Sequence, residues 1–203
     1  MIAAFERAEG MRPMYRRHQS KSELLRVLQE AQDERFVCRC GFFYDGSYEF
    51  CYVLGHSEQL ICFAREDDFL LDGFVIRELS DLRFIQRYAG LGDLICRECG
   101  LPDQLQFLPI DLSSWETVFR SLQRLGRMII VENDLPDKGF FRMGYVTDVT
   151  QAYIAFRSVD ADGVWTEHVM IAYDTITSVT FGDRYSSTWQ KYLSAHSDAE
   201  TQK

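Results

Sequence analysis

Lys138–Phe181 reads KGFFRMGYVTDVTQAYIAFRSVDADGVWTEHVMIAYDTITSVTF, and Gly46–Ile85 reads GSYEFCYVLGHSEQLICFAREDDFLLDGFVIRELSDLRFI. Laid over one another, Gly46 falls on Gly139, Tyr52 on Tyr145, Val53 on Val146, Ile61 on Ile154 and Phe63 on Phe156, every pair 93 apart (145 − 52). Past an acidic turn, Glu66-Asp67-Asp68 in one stretch and Asp160-Ala161-Asp162-Gly163 in the other, the spacing becomes 94, with Leu82 on Ile176 and Ile85 on Val179. The pattern reads as one β module used twice. Alternating apolar positions predict strands at Phe36–Tyr44, Tyr48–Leu54, Gln59–Arg65, Phe74–Arg77 and Leu82–Gln86. In the second stretch they predict strands at Phe141–Val146, Ala152–Ser158, His168–Ala172 and Ile176–Phe181. Asp45-Gly46 carries the signal of a hairpin turn.

A helix leads each stretch. Leu24, Leu28 and Ala31 share one face of Ser22–Gln32, and Glu116–Gly126 repeats the pattern, with Arg26, Leu28 and Gln29 aligned on Arg120, Leu122 and Gln123. Ser20 or Ser22, and Ser113 or Ser114, stand where caps belong. The predicted fold is mainly β with short helices: two tandem small five-stranded barrels, each preceded by an α-helix, because closure removes exposed edges. The expected organisation is a basic arm over 1–21, a first repeat over 22–100, a linker over 101–114, a second repeat over 115–196 and a polar tail over 197–203. A helical turn is expected around Asp93–Cys99 and a terminal helix over Ser187–Ala195.

The helix, the Asn/Asp-Gly turn, the Gly five residues later (Gly139 to Gly144), the run GYVTDVTQAYIAF and the terminal ITSV together resemble the Sm-like fold. That resemblance implies rings that bind single-stranded RNA through an Asp-x-x-Met-Asn set and an Arg-Gly pair. Here the first place reads Thr150 to Ile154 without Met-Asn, and the second reads Asp174-Thr175 and Ser80-Asp81. Acids where a cation should face phosphate weaken the expectation of RNA binding.

Charge points the same way. The chain carries a formal −9, which opposes non-specific affinity for nucleic acid and anionic membranes. Residues 1–21 are the exception: Arg7, Arg12, Arg16, Arg17 and Lys21 against Glu6 and Glu9 give +3, leaving −12 for the rest. If RNA binds, Arg12, Arg16 and Arg17 are the candidate contacts. No apolar run approaches the ~20 residues that cross a bilayer, and no secretory signal is visible, so a cytoplasmic location with reduced thiols is expected.

Cys96-Arg97-Glu98-Cys99-Gly100 is half of a zinc knuckle, and Cys38 and Cys40 are the candidate remaining ligands of a structural zinc. The competing reading places free cysteines in the core as small hydrophobes, since Cys38 falls on Val131, Cys51 on Gly144 and Cys62 on Ala155. Asp160, Asp162 and Glu167 lack a full calcium-loop set. His18, His56, His168 and His196 have no nucleophile at a recognisable spacing. The sequence therefore predicts no catalytic residues and no cofactor. It predicts a non-catalytic interaction or adaptor protein acting through protein–protein contacts or self-association, with divergent RNA binding or a zinc-stabilised module as alternatives.

Overall fold

Ser20 starts the first helix by closing a capping box. Its backbone N–H donates to the Glu23 carboxylate (2.9 Å) and its hydroxyl accepts from the Glu23 N–H (3.3 Å). Ser114 and Thr117 build the same box 94 positions on. The computed structural model describes residues 19–44 and 46–196. Its helices are α1 (Lys21–Glu34), α2 (Leu91–Glu98), α3 (Trp115–Leu125) and α4 (Arg184–His196). Its strands are β1 (Cys38–Phe42), β2 (Glu49–His56), β3 (Leu60–Asp67), β4 (Leu70–Glu78) and β5 (Leu82–Arg87), then β6 (Ile129–Asn133), β7 (Phe140–Val149), β8 (Tyr153–Val159), β9 (Trp165–Ala172) and β10 (Ser178–Phe181).

All ten strands lie in one antiparallel sheet, ordered β5-β1-β2-β3-β4-β10-β6-β7-β8-β9. The strand order within 38–87 therefore recurs within 129–181. The expectation of two separate closed barrels is corrected: the sheet is one continuous, open structure. The reason lies in the fourth strand. β4 pairs with β10, Phe74 opposite Phe181 and Arg77 opposite Ser178, instead of curling back onto β5. Each half satisfies an edge of the other, and β5 and β9 are left outermost.

The pairing also refines the correspondence between halves. Cys38 lies opposite Cys51, and Ile129 opposite Gly144, so the counterpart of Cys38 is Ile129 and not Val131. Two extra residues sit between β6 and β7. The β3–β4 hairpin turns through Asp68 and Phe69 at positive φ without a glycine, where the Glu66 carboxylate accepts the Phe69 N–H (2.7 Å). That lets β4 begin at Leu70, four residues ahead of the sequence expectation.

Apolar side chains cover both faces. α1 sets Leu24, Leu28 and Ala31 against Cys38, Cys40, Phe42, Val53, Phe63 and Ile85. The larger core, centred on Phe119, Leu122, Phe156 and Phe181, also takes Tyr52, Cys62 and Cys96 from the opposite face of the first half. The segment between the halves is packed down, with Leu101 and Leu105 buried in that core. α4 closes a third cluster through Trp189 and Leu193 against Met128, Ile130 and Met143, and Gln190 accepts the Met128 N–H (3.1 Å). No helix among the described residues is long and apolar enough to cross a membrane.

Candidate functional site

The seam between the halves is the most chemically specified part of the molecule. Arg77, on β4, is only 5% exposed. Its guanidinium lies 3.7 Å from Glu49, 3.7 Å from Asp134 of the second half, and 4.4 Å from the centre of the Phe42 ring. Asp134 is held in place by Thr177, whose hydroxyl donates to its carboxylate (2.8 Å) and accepts its backbone N–H (2.9 Å). Trp115, at the head of α3, donates its indole N–H to Glu78 (3.0 Å). Phe74 and Phe181 stack at 5.2 Å. Next to them, Gly73 takes φ +79, and a Cβ there would meet the Asp183 backbone nitrogen at 2.6 Å. The Arg184 N–H then donates to Asp72 (2.7 Å). One apolar strand pair is thus flanked by an ion pair at one end and an interlocked turn at the other.

The carboxylates around the seam are crowded. Burial, and then the charge of Asp134, raises the Glu132 carboxyl. Burial and neighbouring Glu78 push Asp81 up to about 6, against the opposing pull of Arg77. A carboxyl raised in the folded state favours folding below its unfolded value and loses that benefit as pH rises through the folded value. Asp81→Asn is therefore expected to stabilise the protein at pH 7. A shift of this size is worth about 3 kcal/mol for a wholly buried group, and half exposure reduces it to about 1 kcal/mol. Urea unfolding at pH 7 and pH 4 checks this: the gain should be present at the first and absent at the second.

The two outer edges, β5 and β9, carry the counterparts of the seam strands β10 and β4. β9 carries Met170, 74% exposed, beside a cavity of about 280 Å³ lined among others by Phe140, Arg142, Val169, Met170, Ile171 and Thr175. β5 is touched on its outer side by Gln19, whose N–H donates to Arg83 O (3.4 Å) and whose amide oxygen accepts the Ile85 N–H (2.7 Å). A cavity of about 270 Å³ adjoins it, lined among others by Gln19, Lys21, Phe43, Leu79 and Leu82. Phe43 there is 47% exposed.

The four proposed zinc thiols are divided by the fold. Cys38 and Cys40 face the core under α1, Cys96 belongs to the larger core, and Cys99 is exposed. Among the described residues, no group of three or more His, Cys, Asp or Glu side chains is placed to hold a metal ion. Cys40 and Cys51 instead face each other, Sγ to Sγ at 3.0 Å. Their contact and burial raise the Cys51 thiol, burial raises Cys40, and burial alone takes Cys62 up to about 12. These groups stay protonated and pack as small apolar side chains.

Arg12, Arg16 and Arg17, like His18, lie outside the described residues. Ser80-Asp81 and Asp174-Thr175 sit in single helical turns just ahead of β5 and β10. Asp160 accepts the N–H groups of Asp162 and Val164 (both 2.9 Å), closing a hairpin turn. His168 is exposed on β9, and His196 stacks on Tyr192 at 4.2 Å near the end of α4. Sequence reasoning missed Arg77, Asp134 and Trp115. The available signal was a charge completing the apolar run Phe74–Ile76, a position that strand alternation alone does not mark as buried. The chain matches no protein-family model, no curated protein and no solved structure.

Proposed function

We propose that this chain is a non-catalytic interaction protein, built from two diverged Sm-like modules, that works through protein–protein contacts at its sheet edges. The observation that carries the reading is β9: an outermost strand presenting Met170 beside an apolar-walled cavity. A monomer normally blunts such an edge with charge, proline or a covering element. The repeated strand order and the paired Ser20 and Ser114 caps support the two-module reading. The acids Asp81 and Asp174 ahead of β5 and β10, together with the net charge of −9, weigh against a phosphate-bearing ligand there.

Placing a photo-crosslinking phenylalanine analogue at position 170 in expressing cells tests the reading. The expected product is a covalent polypeptide adduct. An RNA adduct, or no adduct when the same analogue at buried position 156 also gives none, overturns it.

A further inference from the structure

We infer that the seam carries a binding site for a medium-chain carboxylate, an anionic head on an unbranched apolar tail, held between the sheet and the segment that joins the halves. The site is separate from the sheet edges and from any contact made there. Two cavities meet at the Phe74 ring, which lines both. The first, of about 170 Å³, draws on the whole chain: Leu71 and Phe74 of β4, Gln104 and Gln106 of the joining segment, Arg127 and Gly182 of the second half. The second, of about 90 Å³, is apolar and is lined among others by Leu54, Cys62, Phe107, Leu108 and Phe181. Ala64 belongs to the first and Cys62 to the second. These residues stand two apart on β3, so one face of the strand runs beneath both cavities.

Arg127 supplies the charge for the head. It is exposed, and among the described residues its guanidinium has no ion-pair or hydrogen-bond partner. Gly182, at φ +67, makes room for it: a Cβ there would stand 3.2 Å from Arg127 Nη1 and 3.2 Å from the Phe74 ring. Guanidinium and ring therefore flank the bare Cα, a cation beside the partition between the two cavities. The planar fork matches the two oxygens of a carboxylate, and the side-chain amides of Gln104 and Gln106 line the same cavity as further donors. Asp72 and Asp183 lie on either side of Gly73, which also lines this cavity. Two carboxylates so close oppose a doubly charged head such as a phosphate monoester, while one guanidinium balances a single charge.

The second cavity defines the tail. No charged side chain lines it, and its one thiol, Cys62, is protonated, so it suits methylenes and nothing ionic. The joining segment is the way in. Between Gln106 and Ile110 the one backbone hydrogen bond among the described residues runs from the Ile110 N–H to the Leu108 carbonyl (2.8 Å). Side chains rather than a strand ladder hold this stretch on the sheet, so lifting it separates no paired strands. Phe107, half exposed, forms the outer wall. A chain whose carboxylate rests on Arg127 passes Phe74 and lies under Phe107 and Leu108.

Titration of the full, isotope-labelled chain with butanoate, hexanoate, octanoate and decanoate, each below its micelle concentration and followed by amide chemical shifts, tests the proposal. The amides of Gly73, Gln106 and Gly182 should report the head and those of Gly55 and Leu108 the tail, saturating together. Affinity should rise about fourfold per methylene until the second cavity is filled, and then level off. Arg127→Gln, at an exposed position, should weaken octanoate about tenfold or more and leave octanol unchanged. Gly55→Val, whose side chain enters the second cavity, should weaken octanoate about tenfold and leave butanoate unchanged. Should Gly55→Val fail to fold, the chain-length series and Arg127→Gln still decide. Shifts that do not saturate by about 5 mM octanoate overturn the proposal. So do octanol binding as tightly as octanoate, an affinity that ignores chain length, or Arg127→Gln binding octanoate like wild type.

Discussion

Arg77→Ala is expected to cost about 3 kcal/mol of stability at pH 7, the lower end of what is lost when one member of a buried ion pair is removed. The lower end applies because Glu49 and Asp134 keep roughly a quarter of their side-chain surface in water. Two effects add. Glu49 and Asp134 lose the positive charge between them, while Glu132 stands close enough to Asp134 for its own carboxyl to be raised. The Phe42 ring also loses the guanidinium stacked at 4.4 Å, a contact worth about 0.5–2 kcal/mol according to exposure.

The two effects separate by substitution. Arg77→Lys keeps the charge but not the planar fork, and should recover part of the loss at pH 7. Urea unfolding of the three proteins at pH 7 reads both. A loss below about 1 kcal/mol at pH 7, or one that lysine does not reduce, would mean that the ion pair does not tie the halves together.

The seam also shows where the sequence stopped being informative. Strand positions were legible because alternating apolar residues leave a period-two trace, and the Ser20 and Ser114 caps because a hydroxyl before an apolar helix has few other uses there. Which strands become neighbours leaves no such trace. The apolar run Phe74–Ile76 suits pairing with β5 in a closed barrel as well as pairing with β10 in an open sheet. Only the shapes on either side, the Gly73 contact with Asp183 and the reach of Trp115 to Glu78, decide between them. The cysteines follow the same logic. Cys96-x-x-Cys99 has ligand spacing along the chain, but α2 buries the first thiol while the second, just past the helix end, is exposed. Local spacing was visible; the face on which each side chain lands was not.

Gly144→Ala is expected to be at least as damaging as the loss of Arg77, costing about 3 kcal/mol or more through forced overpacking. A methyl group there would collide with the Arg157 carbonyl oxygen and stand 2.9 Å from the Ser158 Cα. Both are backbone atoms of the neighbouring strand, so no rotamer change relieves the clash, and β7 and β8 must separate. The strain falls where Ile129 also pairs, so it propagates to β6 and from there to the seam. The counterpart position in the first half holds Cys51, opposite Arg65, so the close approach at Gly144 is particular to the second half. Gly46→Ala supplies the control: among the described residues, and its chain neighbours aside, no atom lies within 4 Å of a Cβ added there, and its stability should stay within about 0.5 kcal/mol of wild type. Hydrogen exchange locates the damage, with protection falling across β6–β8 in Gly144→Ala while the α1-side core of Leu28, Phe63 and Ile85 keeps its own. Equal stability of the two glycine variants would show that β7 and β8 do not approach this closely, and the second half of the sheet would need a different curvature from the one described.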